Sequence, residues 1–367
     1  MSSYMVYRIT TKTTLESFKK SEFSVSRRFS DFLGLHAKLV HKHLHSGLII
    51  PSPPEKDAVG MAKVKISKED NIPSDFIDRR RALLERYLNR LAKHDKLIAD
   101  SDVQEFLELD KDLPKSKETA ALSGAGVMRA FTGISNSVSK LTTKTGEQDQ
   151  WFEERHTTIV ELHGHLKHVY TQLNHVFSQR REAGISLRQF STSINHLATI
   201  EEHPSLSRAL AELANLEEKI DQINNEHAYK EYSILTELVK EYMSLLEMIQ
   251  AAFTERIKIH QQWLNAEENL RKRREEKTKL EQSPKGADKL PQKEAEIRDW
   301  EGRVESSKKD FEQVSSTIKE EMEVFEQTRV DDFKKSIDHY WKNLIEQQEK
   351  ILQLWEGYLP QANEITV

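Results

Sequence analysis

The chain has 367 residues, of which 31% are Asp, Glu, Lys or Arg and 37% are hydrophobic. It contains no cysteine, which excludes a disulfide framework and thiolate chemistry and fits a cytosolic compartment. Residues 149–367 hold 30 Lys and Arg against 41 Asp and Glu, whereas residues 1–148 hold 25 against 19. A bulk-basic nucleic-acid binder is therefore disfavoured, so we expect no nucleic-acid partner. Without a run of 18 apolar residues or a signal-peptide pattern, neither a transmembrane helix nor secretion is expected.

The first thirty residues carry strand signals. Residues 4–11 and 23–29 predict two strands joined by a turn-like connection. In the second strand Val25, Arg27 and Phe29 alternate with Arg28 and the serines. For Arg27 and Arg28, the alternative to a binding role is a solvated pair on an edge strand. After it, Ser30 or Asp31 is placed to cap a helix.

The next eighty residues predict a loop followed by helices. Three prolines within residues 50–56 favour an extended, polyproline-like loop that ends near Lys56. Ser74 is placed to cap a helix that runs to about Leu91, with three consecutive arginines one turn inside it. For Arg79 and Arg81, a position on an exposed helix face and a binding role are equally good interpretations.

Residues 113–149 form a Ser-, Thr- and Gly-rich segment that contains one amphipathic stripe. Its apolar residues step by three and four: Val127, Phe131, Ile134, Val138 and Leu141. A helix with bulky apolar residues on one side and small polar residues on the other suits insertion at lipid packing defects. The alternative is a helix docked on the rest of the protein in solution.

Three long helices are predicted for the remainder, over residues 150–200, 206–282 and 288–358. Within 206–282 the apolar residues keep a mean step near 3.5, and no Pro or Gly interrupts them. Gly184 marks a point in the first helix where a bend is expected. A protomer this thin buries little apolar surface, so dimerisation is expected on physical grounds.

The densest basic run lies near the end of the second long helix and includes Lys272, Arg273 and Arg274. It is a candidate for electrostatic contact with an anionic membrane. The alternative is a solvated helix end, where cations are favoured by the helix dipole. The five tryptophans are expected in helix seams. Because no P-loop, HExxH or nucleophile elbow is present, we expect no catalytic residue, metal site or cofactor.

Several of these motifs, in this order and spacing, resemble a known family. The motifs are residues 27–32, the proline loop ending at Lys56, residues 79–88, Leu122–Gly126, Trp151–Glu154 and Leu206–Leu210. The N-terminal region resembles a PX (phox-homology) domain and the long helices resemble a BAR domain, a combination similar to the retromer-linked sorting nexins of the PX-BAR class. The resemblance implies an α+β PX domain over 1–112, a linker with an amphipathic helix over 113–149, and an all-α BAR domain of three long coiled-coil helices over 150–367.

The resemblance also implies a binding site for phosphatidylinositol 3-phosphate. Arg28 is expected to pair with the 3-phosphate, Phe29 to stack under the inositol ring, Lys56 to meet the 1-phosphate and Arg80 to bond the ring hydroxyls. The chemistry agrees, since a guanidinium offers a fork for phosphate and an ammonium a point charge. PX domains of this family normally begin with a strand before residue 4, so we expect an N-terminally shortened domain with an exposed sheet edge.

By the same resemblance the protein is expected to be a non-enzymatic, peripheral protein on the cytosolic face of early endosomes. It is expected to sense and induce membrane curvature and to support tubule formation and endosome-to-Golgi sorting. The implied partners are phosphatidylinositol 3-phosphate or its 3,5-bisphosphate relative, a second copy or another PX-BAR sorting nexin, and the cargo-recognition subunits of retromer. The alternative is an endosomal scaffold whose helices bind proteins without bending membranes.

Overall fold

The computed structural model describes residues 5–54, 74–111, 113, 149–282 and 289–366. In chain order the elements are β1 (Val6–Lys12), β2 (Glu22–Arg28), α1 (Phe29–His43), a 3-10 turn (Leu44–Ser46), α2 (Ser74–Ala92), α3 (Asp95–Ile98), α4 (Ser101–Glu108), α5 (Gln150–Ile200), α6 (Pro204–Glu231), a π-helical segment (Tyr232–Thr236), α7 (Glu237–Glu281) and α8 (Leu290–Asn363). Among these, none of the helices combines the length and apolarity needed to cross a bilayer.

The two strands pair antiparallel, with Val6 opposite Arg28 and Lys12 opposite Glu22. Val25 and Arg27 are both buried, at 3% and 1% exposure, and thus share the inner face as the alternation predicted. The sheet packs on α1 and α4, and the centre of this region contains side chains that are at most 1% exposed: Phe32, Leu39, Ile50, Leu91, Leu97 and Phe106. An α+β region is therefore confirmed.

Helix α1 begins two or three residues earlier than the sequence suggested. The expectation that Ser30 or Asp31 caps it is wrong, because the N-cap is Arg28, in an extended conformation. Asp31 occupies the third helical position, and its carboxylate accepts a hydrogen bond from the Arg28 backbone N–H at 2.7 Å. A carboxylate three residues inside a helix reaches back to the cap in this way, which fixes the join between β2 and α1.

The helical part follows the predicted bounds closely. Helix α5 has the predicted range and runs through Gly184 without a break, so the expected bend is not found. Gly184 instead permits a close approach, because an added Cβ would lie 2.8 Å from an Asp221 carboxylate oxygen. Residues 204–281 are helical throughout, with the π segment joining α6 to α7.

The chain divides into two compact units, and the boundary crosses the long helices. The first unit contains residues 1–161 and 244–325, and the second contains residues 162–243 and 326–367. In the first unit the apolar seam of α8 is well buried at Val314, Ile318 and Met322. In the second unit polar contacts join the helices. For example, the Tyr242 hydroxyl of α7 donates a hydrogen bond to the Asp332 carboxylate of α8 at 2.8 Å.

Candidate functional site

The candidate site lies where β2 runs into α1. Arg28 is the last residue of β2 and Phe29 the first residue of α1. Because strand side chains alternate, the inward position of Arg27 sends the half-buried Arg28 side chain to the opposite face. The hydrogen bond from the Arg28 backbone N–H to the Asp31 carboxylate fixes the backbone at this junction, where the Arg28 and Phe29 side chains begin.

Helix α2 brings Arg80 to this junction. The Arg80 side chain is buried, and its guanidinium carbon lies 4.7 Å from the centroid of the Phe29 ring. A guanidinium over an aromatic face is attracted by the ring quadrupole, more strongly when water is excluded. The structure therefore brings Arg80 to the neighbouring residues Arg28 and Phe29, which lie about 50 positions earlier in the chain. Lys56, the fourth predicted ligand, lies outside the described residues.

Tyr7 is a neighbour of Arg80 that the sequence interpretation missed. It lies on the inner face of β1, packs edge-on against Phe32 at 6.5 Å, and is 8% exposed. Burial raises the pKa of its hydroxyl, and the positive charge and hydrogen bonding of Arg80 oppose that rise. The strand alternation of β1 was the available signal, since it places Tyr7 on the buried face.

The structure separates the roles of the two adjacent arginines. Arg27 is 1% exposed, and its Nε donates to the Phe106 carbonyl at 2.8 Å while Nη1 donates to the Ser26 carbonyl at 2.9 Å. Its guanidinium also lies 5.4 Å from the centroid of the Phe106 ring. Arg27 thus satisfies carbonyls near the end of α4 and stabilises the fold.

The flanking arginines of α2 differ from Arg80. Arg81 is exposed and pairs with Asp78 one turn earlier at 3.3 Å, as expected for a solvated helix face. Arg79 is half-buried. Of the three consecutive arginines in the described part of the chain, only Arg80 is seen with its guanidinium over the Phe29 ring.

The basic run of α7 is paired with carboxylates. Lys272 lies 3.4 Å from Glu268, Arg273 lies 3.0 Å from Glu276 and 3.6 Å from Glu296, and Arg274 lies 2.7 Å from Glu301. Two of these bridges link α7 to α8 and hold the helix pair together near its end. A membrane that approached this surface would meet positive and negative side chains side by side. The stripe from Val127 to Leu141 lies outside the described residues.

Comparison with known proteins places these features in a family. A PX domain model matches residues 15–110, and a model described as Vps5 C terminal like matches residues 127–361. Sorting nexin-2 of Homo sapiens is 44% identical over 365 residues, which cover 100% of this chain and 70% of that protein. Sorting nexin-1 of Rattus norvegicus is 40% identical over 366 residues, with the same coverage.

The chain belongs to the sorting nexins. Its fold is also that of a cryo-EM structure of the SNX-BAR Mvp1 tetramer, with a TM-score of 0.58, 19% identity, and coverage of 98% of this chain and 96% of that one. The predicted class, a PX domain followed by a helical BAR domain, is therefore confirmed. Sorting nexins of the PX-BAR class are trafficking adaptors.

Proposed function

We propose that this sorting nexin is a peripheral membrane protein that binds phosphatidylinositol 3-phosphate, or its 3,5-bisphosphate relative, on early endosomes and bends the membrane there. The observation that carries the proposal is the packing of the Arg80 guanidinium on Phe29 beside Arg28. At this junction the two guanidiniums can bind phosphate, and the aromatic face of Phe29 can stack against an inositol ring. Arg28 takes the 3-phosphate, Phe29 supports the inositol ring, Arg80 meets its hydroxyls, and Lys56 takes the 1-phosphate.

A second copy, or another PX-BAR sorting nexin, is the partner that the second unit needs. Of the 18 large hydrophobic side chains that are exposed among the described residues, 14 lie in this unit. On α8 they recur at helical intervals: Val330, Ile337, Trp341, Ile345, Leu352, Trp355 and Leu359. A stripe of this length is the seam of a coiled-coil interface. Trp341 and Trp355 thus serve a seam between protomers rather than within one.

Membrane shaping is assigned to the region behind the PX domain. The apolar stripe at Val127, Phe131, Ile134, Val138 and Leu141 acts as a wedge within the 113–149 linker. Lys272, Arg273 and Arg274 face the anionic surface, and the dimer of the 150–367 region is the scaffold. Because a dimer presents each weak lipid contact twice, avidity gives the assembly its selectivity. Retromer cargo-recognition subunits are the protein partners in endosome-to-Golgi sorting.

Liposomes test this directly. The purified protein is mixed with vesicles of phosphatidylcholine and phosphatidylserine, with and without phosphatidylinositol 3-phosphate, and then sedimented and imaged by electron microscopy. The proposal expects lipid-dependent sedimentation and tubes. Equal binding to both vesicles would remove the phosphoinositide from the proposal.

A second candidate is an endosomal scaffold that the PX domain recruits and whose helices bind proteins without bending membranes. The ion pairs of Lys272, Arg273 and Arg274 favour it, because paired cations attract a bilayer less than unpaired ones. Phosphoinositide-dependent sedimentation without any tubes would select this candidate.

A further inference from the structure

In the first unit, the segment that follows α1 lies directly against α8. Gly47 has a φ of 88°, and an added Cβ there would lie 3.0 Å from the Val314 carbonyl oxygen and 3.0 Å from a side-chain carbon of Ile318. Both the left-handed backbone and the lack of space restrict this position to glycine. The next residues, Leu48 and Ile49, are buried, as are Val314 and Ile318 on the helix.

One carboxylate supplies the polar part of this contact. Glu321 lies about two turns after Val314, and its side chain is only 12% exposed. Its Oε2 accepts the Ile49 backbone N–H at 3.2 Å, and the His94 Nε2 lies 3.0 Å from Oε1 and 3.1 Å from Oε2. Two separate segments of the PX domain therefore meet on a single side chain of the helical region.

The hydrogen bond made by Nδ1 of His94 shows which of its two ring nitrogens carries the proton. His94 is the N-cap of α3, and its Nδ1 accepts the Leu97 backbone N–H at 3.3 Å. A neutral imidazole has one donor and one acceptor, so an accepting Nδ1 leaves the proton on Nε2, which donates to Glu321. The cap of α3 thus orients the donor that the carboxylate needs. A mostly buried carboxylate with two donors is costly to disrupt, because the donors left behind cannot reach water.

The neighbouring acid offers a contrast. Glu320 is 64% exposed on the side chain, accepts the Ser316 hydroxyl at 3.3 Å within its own helix, and lies 3.9 Å from Lys96. Such an exposed pair contributes little to stability. Glu320 and Glu321 therefore form a matched pair of carboxylates on one helix, one at the rim of the contact and one inside it.

The position of Ile49 gives the contact a functional meaning. Ile49 lies two residues before Pro51, where the proline-rich loop that leads to Lys56 begins. We propose that Glu321 is a positioning residue that fastens the PX domain to the helical region at the root of this loop, so that phosphoinositide binding and the shape of the lipid-bound assembly are coupled. The coupling rests on the proposed function, whereas the fastening stands by itself.

Amide hydrogen exchange of the 367-residue chain tests the fastening. Glu321→Gln keeps the volume but turns one acceptor into an amide donor that faces the donors of Ile49 and His94. Exchange in residues 44–50 should rise about tenfold or more, as expected when buried donors lose their acceptor. Glu320→Gln is the control and should exchange like the parent. Unchanged exchange in the Glu321→Gln protein would overturn the proposal.

A conservative change on the other partner separates a specific contact from general damage. In His94→Gln the side-chain amide can still donate from about the place of Nε2, although the Nδ1 acceptor to Leu97 is lost. Exchange at residues 44–50 should stay within about threefold of the parent, while residues 95–98 exchange faster because a helix cap is lost. Equal loosening of residues 44–50 in His94→Gln and Glu321→Gln would show a merely structural role and overturn the donor assignment.

Tube geometry tests the coupling. On vesicles with phosphatidylinositol 3-phosphate, the Glu321→Gln protein should be recruited within about twofold of the parent, since Arg28, Phe29 and Arg80 are untouched, but its tubes should be fewer and broader in width distribution. Faster exchange with tubes like those of the parent would overturn the coupling and keep the fastening. Failure of the parent itself to bind these vesicles would overturn the proposed function, and the exchange result would still decide the fastening.

Discussion

The guanidinium carbon of Arg80 lies 4.7 Å from the centroid of the Phe29 ring. Phe29 is the first residue of α1 and Arg80 lies nearly two turns inside α2, so this stack joins two helices that 30 residues separate. The ring holds the plane of the guanidinium, and a guanidinium held in one orientation loses less entropy when a ligand binds. The proposed site is therefore partly organised without a ligand.

The exposed stripe on α8 predicts that dimerisation depends on Trp341. Its side chain is 54% exposed in the protomer, and Trp341→Glu would place a charge in the interface, which costs several kcal/mol. Analytical ultracentrifugation should then report a monomer at micromolar concentration. Val324→Glu is the control, because Val324 is 60% exposed but belongs to the first unit, and it should remain dimeric. A dimeric Trp341→Glu protein would contradict the assigned interface.

Acid should destabilise the PX domain through His36. Burial lowers the pKa of His36 from 6.5 to about 4, while one ring nitrogen is hydrogen-bonded to the Pro51 carbonyl. The unfolded state therefore binds the proton first, so the stability is fully present above pH 6.5 and falls as the pH drops toward 4. At pH 5 the loss is about 2 kcal/mol.

The loss of stability caused by His36 is measured by amide hydrogen exchange in α1 at pH 7.5 and pH 5, corrected for the intrinsic exchange rate at each pH. Protection should fall about thirtyfold between the two in the parent, as about 2 kcal/mol implies. In His36→Asn protection is lower at both values, but the drop between them should be smaller. An equal drop in parent and variant would assign the acid sensitivity to other groups.

The amphipathic stripe predicts a separation of recruitment from tubulation. Phe131 lies outside the described residues, and the prediction rests on its place in the apolar stripe. Phe131→Glu opposes insertion, so sedimentation with phosphoinositide vesicles should stay within about threefold of the parent while tubes disappear. Asn136→Glu adds the same charge on the side opposite the stripe and should still tubulate. Tubes of normal number and width with Phe131→Glu would remove the wedge from the mechanism.

The basic run of α7 is tested by reversing the charges of Lys272, Arg273 and Arg274 to Glu. Each cation near an anionic bilayer contributes about 1 kcal/mol, and pairing with glutamates reduces that value. Binding to phosphatidylserine vesicles should fall about tenfold or more at low salt and less at 0.3 M salt. The variant should remain dimeric by ultracentrifugation. Unchanged binding and tubulation would identify the run as a solvated, ion-paired helix end.

Local patterns predicted much of this structure. The steps of three and four predicted the ends of the long helices to within five residues, and strand alternation separated Arg27 from Arg28. The partners of Arg27 could not be foreseen, because its carbonyl acceptor on Phe106 is 79 residues away. Likewise, the contact of His94 with Glu321 spans 227 positions. Such contacts depend on how elements pack, which periodicity does not record, and the same holds for Glu296 and Glu301 of α8, which pair with cations of α7.

The central claim is that Arg28 reads the phosphate of a 3-phosphoinositide, and one measurement tests it most directly. Sedimentation with vesicles containing phosphatidylinositol 3-phosphate is compared for the parent, Arg28→Ala and Arg81→Ala. Arg81→Ala removes the same charge from a solvated position paired with Asp78. Loss of charge-assisted bonds worth about 1.5–3 kcal/mol should weaken Arg28→Ala by about tenfold to a hundredfold, with little effect of Arg81→Ala. A folded, dimeric Arg28→Ala protein that sediments like the parent would contradict the account.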